Sequence, residues 1–546
     1  MELKECDMVG CDVLIIGGGG AGLRAAIEAR EFGAEVVVVS KSRVGFGNNT
    51  FISKATFAAA AGLADPRDNP EVHLKDTLTG GRFINDRKLV AAVSEEVGDQ
   101  ISFLEKCDVS LLKRKGSLSI AQLPGHSYPR HVRSEHQIGS DFMVPLRRHA
   151  QNIGVRFAEH VSVTRLFVSS DRIAAAGGIG PGDEFHAFRA KCVILATGGF
   201  AQAYLHTNNA PGMTGDGHVL AFELGIPLKD MEFIQFYPIA LGRYGNRFIS
   251  YETLIVEAGA VLRNSEGKDI LVKHGLNDPM IMTRDRLARA IMKEILEGRG
   301  VEGGVIMDLS TIPKEQLNRL SRHVFGSEES DCKEINVSPT AHFCMGGVMV
   351  DEHAETIVPG LFAAGEVCAG VHGANRLGGN ALSEVFAIGG IAGRRAAQMA
   401  RKIGLAELPE KQVMNEKARL ESLVSGGKED SRALRQFLKQ VMWYKAGVIR
   451  TAEGLQEALA QIQETKNELP HLLIKDFRDL KKSLELHNIV FLNELVCRAA
   501  LMRTESRGAH YRRDYREEDN VNWLKNIVIS KRGSGVSLEP VAVTGD

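Results

Sequence analysis

Gly17, Gly19 and Gly22 stand at G-x-G-x-x-G spacing directly after the apolar run Val13 to Ile16. The chemistry open to such a turn is capture of a diphosphate. Gly17 permits a tight turn, Gly19 lets backbone approach a pyrophosphate, and Gly22 lets the next helix lie close, with its N-terminal amides and dipole facing the phosphates. Alone the spacing is a weak signal; between a strand and a helix it reads as a dinucleotide site. The carboxylate that usually ends the second strand and holds a ribose is absent, because Ser40 and Lys41 stand there. The following segment, SKSRVGFGNNTFISKATFAAAAG, is rich in small residues that allow close approach to a flat ligand.

These residues need a frame. Val13 to Ile16 reads as a buried strand, the helix runs through Leu23, Ala25, Ala26, Ile27 and Ala29 to Gly33, and Val36 to Val39 reads as a second parallel strand. Residues 88 to 107 read as one amphipathic helix carrying Leu89, Val93, Val97, Ile101 and Leu104 on one face. Residues 155 to 195 read as an antiparallel meander ending in CVILATGG, residues 192–199, and Thr214-Gly-Asp-Gly217 opens another helix. From about 236 to 344 the pattern changes to broken strands around a charged helix at Arg284 to Glu297, as expected of an inserted domain. Pro359 to Glu366 reads as a return to the first sheet. Long helices follow at Leu438 to Ile462 and Phe477 to Thr504, then a last strand at Ile527 to Ser530.

Composition narrows the classes. A chain of 546 residues exceeds one core, and length alone suggests about three or four domains. Lys and Arg (67) balance Asp and Glu (68), so nothing points to nucleic acid or an anionic membrane. The eight cysteines (6, 11, 107, 192, 332, 344, 368, 497) form no C-x-x-C pair, so neither a zinc site nor an iron-sulfur cluster is expected. Scattered thiols suit a reducing compartment. No leader precedes Asp12 and no apolar run reaches the roughly 18 residues of a membrane span, so a cytoplasmic protein is expected, or a peripheral subunit of a membrane complex. There is no phosphate loop, H-E-x-x-H or G-x-S-x-G elbow. Arg503 to Arg516, interleaved with Glu505 and Asp514, reads as a salt-bridge network within the chain or facing a subunit.

Several separated segments, in order, resemble one family. They are GGGGAG, SKSRVGFGNNT, ATGG, TGDG, the Arg284-Asp285 segment ending EILEGRG, TAHFCMGGVMVD, GLFAAGEV, HGANRLGGN and RTESRGAHYRRDY. Together, across about residues 11 to 525, they are similar to flavoprotein subunits of succinate dehydrogenase and fumarate reductase, a group that includes L-aspartate oxidase. The resemblance implies an α/β chain: a Rossmann-like FAD-binding domain (1–235 and 345–405), an inserted α+β capping domain (236–344), and a C-terminal helical domain with a tail (410–546).

It also implies FAD in the turn formed by Gly17, Gly18, Gly19, Gly20, Ala21 and Gly22. Ser40, Lys41, Ala196, Thr197, Gly198, Asp216, Glu366, Arg376, Ala381 and Leu382 complete that expected flavin site. Many members link the flavin to a histidine; here Asn48, Asn49 and Thr50 occupy the matching positions, so FAD is expected to be non-covalent, with a lower potential that favours substrate reduction. Arg376 and His342 match residues that hold a substrate carboxylate, and Arg284 matches the proton donor. A guanidinium with a pKa above about 12 is a poor acid, so that role needs a carbanion-like acceptor and a relay.

Two departures from the family pattern bear on the substrate. Tyr237 stands where the family has histidine, which keeps a hydrogen-bond donor and loses the option of positive charge. The segment SYETLIVEAG, residues 250–259, lacks the relay arginine; Glu252 or Glu257 retains the carboxylate, and Glu257 acting through water is the expected route for reprotonating Arg284. The leading expectation is a small-dicarboxylate oxidoreductase that exchanges electrons with an iron-sulfur subunit. The alternatives are an L-aspartate oxidase-like or related enzyme on another acid, supported by GGVMVDEH and Gly125-His126-Ser127, and a flavin relay subunit without substrate chemistry.

Overall fold

The computed structural model describes residues 2–5, 8–241, 247–248, 250–278, 281–324, 333–424, 426–533 and 535–543. Cys6 and Cys332 lie outside the described residues; the other six cysteines are free and buried.

Strand Val9–Ile16 is flanked by two parallel neighbours, Val36–Ser40 (Val13 opposite Val36) and Glu184–Leu195 (Val13 opposite Cys192). Val13, Leu14 and Ile15 are wholly buried, as a strand covered on both faces requires. Arg156–Glu159 extends the parallel edge beside Val36–Ser40, so the expected meander begins one strand later than the sequence suggested. The preceding helix Ser140–Asn152 supplies the crossover that a parallel connection needs. Ser162–Ser169, Arg172–Ile179 and Glu184–Leu195 are antiparallel neighbours.

The chain then leaves this sheet. Ile234–Leu241, Glu334–Cys344, Val305–Asp308 and Val261–Arg263 form an antiparallel capping sheet. Helix Arg284–Glu294 buries Leu287 and Ile291 in a core shared with Tyr237, Ile239 and Val337. Leu361–Ala363 then pairs parallel with the end of Glu184–Leu195, Val193 opposite Leu361. Helix Asn380–Ala400 follows, buried along most of its length.

Three elements differ from the periodicity. The amphipathic stretch at 88–107 is two helices, Arg87–Glu96 and Gln100–Lys106, interrupted at Val97-Gly98-Asp99; the apolar face continues across the break, and a glycine weakens the helix inside it. The helix expected at 438–462 is also two, Ser431–Lys445 and Ala452–Glu468; Thr451 caps the second by accepting from the Gly454 amide at 3.1 Å. The last strand is longer, Lys525–Arg532, and forms a hairpin with Gly535–Ala542. Helix Phe477–Met502 runs unbroken.

Candidate functional site: two adjoining cavities

The first cavity, of about 680 Å³, opens at the C-terminal ends of the parallel strands. Gly17, Gly18, Gly19, Gly20 and Ala21 line it, with Ser40, Lys41, Asn48, Asn49, Thr50, Ala196, Thr197, Gly198, Asp216 and Glu366. Gly22 lies behind the turn, where a Cβ would overlap the Gly17 carbonyl, and at Gly17 (φ +123°) a Cβ would overlap that of Ala196. A Cβ on Gly19 would meet nothing nearer than Asn48 at 3.9 Å, so it would take ligand space. Thr197 Oγ1 is buried with no hydrogen-bond partner among the described residues. A glycine cradle at a helix N-terminus, together with this orphaned hydroxyl, fits FAD.

The residues around the expected flavin ring are fixed by one another. Asn48 Oδ1 accepts from the Phe51 amide at 3.0 Å, and the Gly20 amide donates to Thr50 Oγ1 at 3.3 Å. Asn49 Nδ2 donates to Asn209 Oδ1 (2.7 Å) and to Glu366 Oε2 (3.1 Å), and Glu366 Oε1 accepts from the Cys344 amide at 3.1 Å. Burial raises the Glu366 carboxyl to about 7. Asp216 is ion-paired to Lys41 at 2.6 Å and accepts from Thr214 and Asn488.

The second cavity, of about 650 Å³, shares Asn49, Thr50, Glu366 and Val385 with the first and lies under the capping sheet. Arg284, His342, Arg376, Tyr237 and Glu257 all line it, as do Ala381 and Leu382. Arg376 is 4% exposed, stacks over the Phe343 ring at 4.7 Å, and has no partner at Nε among the described residues. Burial, then the charge of Arg284, lowers its guanidinium to about 9. His342 Nδ1 lies 3.0 Å from Asn208 Nδ2, and its carbonyl accepts from Asn209 at 2.8 Å. Burial and the two arginines hold this imidazole well below its usual value, and therefore neutral at pH 7.

Arg284 begins its helix and lies over the Tyr237 ring at 4.9 Å. Its Nη1 donates to Gln235 at 3.5 Å, and its Nη2 is 3.7 Å from Glu252 Oε1. Tyr237 OH donates to Glu252 Oε2 at 2.8 Å and accepts from the Tyr251 amide at 3.2 Å. The donor expected to meet a substrate carboxylate is thus engaged with a protein carboxylate. Burial and the Glu252 charge push the Tyr237 phenol well up, so it stays protonated.

Of the two glutamates that the sequence left open, Glu252 is the one paired with Arg284; Glu257 is exposed on the cavity wall, with Arg133 in its field. Asn208, Asn209, Gln235 and Arg133 were not anticipated: amides carry no spacing signature, and Arg133 reaches the cavity only through the pairing of His131–Arg133 with Thr56–Ala58. Five side chains from the C-terminal helices, Arg435, Arg478, Lys481, Lys482 and Glu485, also enter the first cavity. They lie some four hundred positions from the glycine turn.

A glycine cradle on a parallel sheet, joined under a cap to a cavity lined by Arg133, Arg284 and Arg376, defines an FAD-dependent oxidoreductase. Comparison with known proteins gives the family. Residues 12–382 match the FAD binding domain family, and residues 435–545 match the fumarate reductase flavoprotein C-terminal family. A CoM/CoB fumarate reductase subunit of Methanothermobacter marburgensis is 36% identical, over 97% of this chain and 98% of that protein. The 8-methylmenaquinol:fumarate reductase flavoprotein subunit of Wolinella succinogenes is 32% identical, over 98% and 91% respectively. A solved E. coli quinol fumarate reductase chain superposes with a TM-score of 0.90 at 27% identity, covering 99% of this chain and 97% of that one. This chain therefore belongs to the succinate dehydrogenase and fumarate reductase flavoprotein family, and is an FAD-dependent oxidoreductase of that type. Among the described residues no helix is long and apolar enough to cross a membrane.

Proposed function

We propose that this chain interconverts the C=C and C–C forms of a small dicarboxylate, with fumarate as the first substrate to test. The observation that carries this reading is Arg376 beside Arg284 in one cavity, the first buried and, among the described residues, paired with no carboxylate, its charge disfavoured until an anion arrives. Non-covalent FAD would lie in the first cavity on Gly17 to Ala21, Thr197 and Asn49, reaching the second beside Glu366. When bound it supplies two-electron chemistry at N5.

The protein's part is binding and proton supply. Arg376 takes one substrate carboxylate in a bidentate contact, and His342, neutral, donates a hydrogen bond to the same end. This polarises the alkene, so negative charge builds on the carbon facing Arg284. Arg284 gives that carbon its proton. Glu252, held by Tyr237, stands 3.7 Å from the guanidinium and restores it by relaying a proton taken up from solvent, a route without the family's relay arginine. In the oxidation direction the same groups run in reverse. Relatives named as subunits support a partner chain as the electron source; that it carries iron-sulfur clusters rests on the family resemblance.

The test is anaerobic: reduce the flavin with dithionite, add fumarate and other unsaturated acids, and follow reoxidation. Prompt reoxidation by fumarate, lost in Arg284→Ala with FAD still bound, is expected. Reoxidation by another acid alone would move the substrate, and no reoxidation by any acid would leave a flavin relay.

A further inference from the structure

The first cavity receives charged side chains from beyond the stretch that matches an FAD-binding domain. Arg435 comes from helix Ser431–Lys445; Arg478, Lys481, Lys482 and Glu485 come from the first turns of helix Phe477–Met502. They gather at the end of strand Val36–Ser40, where a dinucleotide fold places the adenosine ribose and where this chain has no carboxylate. The corner is built from both parts of the chain. Lys41 Nζ pairs with Asp216 Oδ2 (2.6 Å) and with Glu485 Oε1 (3.2 Å). Lys481 Nζ donates to the Lys41 carbonyl at 3.1 Å, Asn488 Nδ2 donates to Asp216 Oδ1 at 3.0 Å, and Arg435 pairs with Glu485 at 3.4 Å.

Charge decides what this wall suits. Lys41, Arg435, Arg478, Lys481 and Lys482 face two carboxylates, Asp216 and Glu485, so positive charge is in excess. Lys41 is matched by Asp216, and Arg435 by Glu485. The remaining excess lies on Arg478, Lys481 and Lys482, of which Lys482 has, among the described residues, a partly exposed partner, Asp479, at 3.6 Å. A solvated helix face would spread its cations around the helix; here positions 478, 481 and 482 share the side that closes the cavity.

We propose that Arg478, Lys481 and Lys482 bind the adenosine diphosphate half of FAD, so that the C-terminal helices complete the cofactor site. The diphosphate's two negative charges would offset two of these three cations. Because Lys41 joins Asp216 to Glu485, the same contacts make cofactor retention depend on how this helix docks.

The test is cofactor affinity, which is independent of turnover and of the substrate reading above. FAD is removed from full-length protein and titrated back calorimetrically into wild type, Arg478→Gln/Lys481→Gln/Lys482→Gln and Lys481→Gln, with FMN and ADP as further probes. Loss of these charge-assisted contacts should weaken FAD and ADP roughly ten- to a hundred-fold and flatten the salt dependence, while FMN, which carries only one of the two phosphates, loses less. Arg432→Gln, exposed on the neighbouring helix, should change nothing. Should the triple variant not fold, Lys481→Gln decides, with a several-fold loss expected. Wild-type FAD affinity and salt slope in a folded variant, or an equal loss for FMN, would overturn the proposal.

Discussion

Two of the regions that bury arginine in this molecule surround it with different neighbours. In the C-terminal region Arg503 pairs with Glu232 at 2.7 Å and Glu505 at 3.0 Å, Arg507 with Glu505 at 2.7 Å, and Arg512 with Asp514 at 2.7 Å. Burial works against the charge of Arg503, but Glu232 and Asp230 outweigh it, so its guanidinium is held above the ordinary value. In the capped cavity Arg376 is nearly as dry, and burial and Arg284 drive it the other way. The first set is complete within the fold; the second is incomplete without an anion. Burial of an arginine therefore says little by itself, whereas the location of its counter-charge separates structure from function.

Variants that exchange these properties test the contrast. The largest effect is expected for Arg284→Ala, which removes the proposed proton source: turnover falls roughly 10²–10⁴-fold while flavin absorbance and melting temperature hold, measured by steady-state kinetics and thermal melts. Glu505→Gln should do the opposite. It strips a shared carboxylate from Arg503 and Arg507, costing about 3–5 kcal/mol in denaturant unfolding, with kcat per folded molecule unchanged.

Arg376→Lys sharpens the comparison. A point charge replaces a planar fork, so KM for the dicarboxylate rises roughly ten- to a hundred-fold with a smaller change in kcat. Arg503→Lys, by contrast, should register in stability and not in KM.

The smallest expected effect is a slope. Glu366 is raised by burial from 4.5 to about 7, so its contribution to apoprotein stability is full below pH 4.5 and is lost as pH rises through about 7. Glu366→Gln should flatten that decline in urea unfolding measured between pH 4 and 8. An unchanged slope would mean that another group carries the titration.

What was legible in the sequence followed how local each requirement is. The turn at Gly17 to Gly22 could be read because a tight turn and a close helix need glycine at fixed spacing, whatever lies elsewhere. The capping insertion showed as a change of pattern. Helix continuity was overread at Val97 to Asp99 and at Ala446 to Thr451, since apolar periodicity survives a break that keeps the same face buried. The choice between Glu252 and Glu257 was not legible, because it rests on Tyr237 reaching from strand Ile234–Leu241 to the helical turn that begins at Glu252. Lys481 at the Lys41 carbonyl was hidden for the same reason, at a separation of 440 residues.

The most direct test of the central claim uses a saturated dianion that has no bond to oxidise. Malonate is titrated into the oxidised holoprotein, and the flavin absorbance perturbation is followed for wild type, Arg376→Ala and Arg512→Ala, the last at a temperature where it remains folded. The account predicts saturable binding in wild type, loss of about two orders of magnitude in affinity in Arg376→Ala, and unchanged affinity in Arg512→Ala. No binding by wild type, or equal affinity in Arg376→Ala, would contradict it.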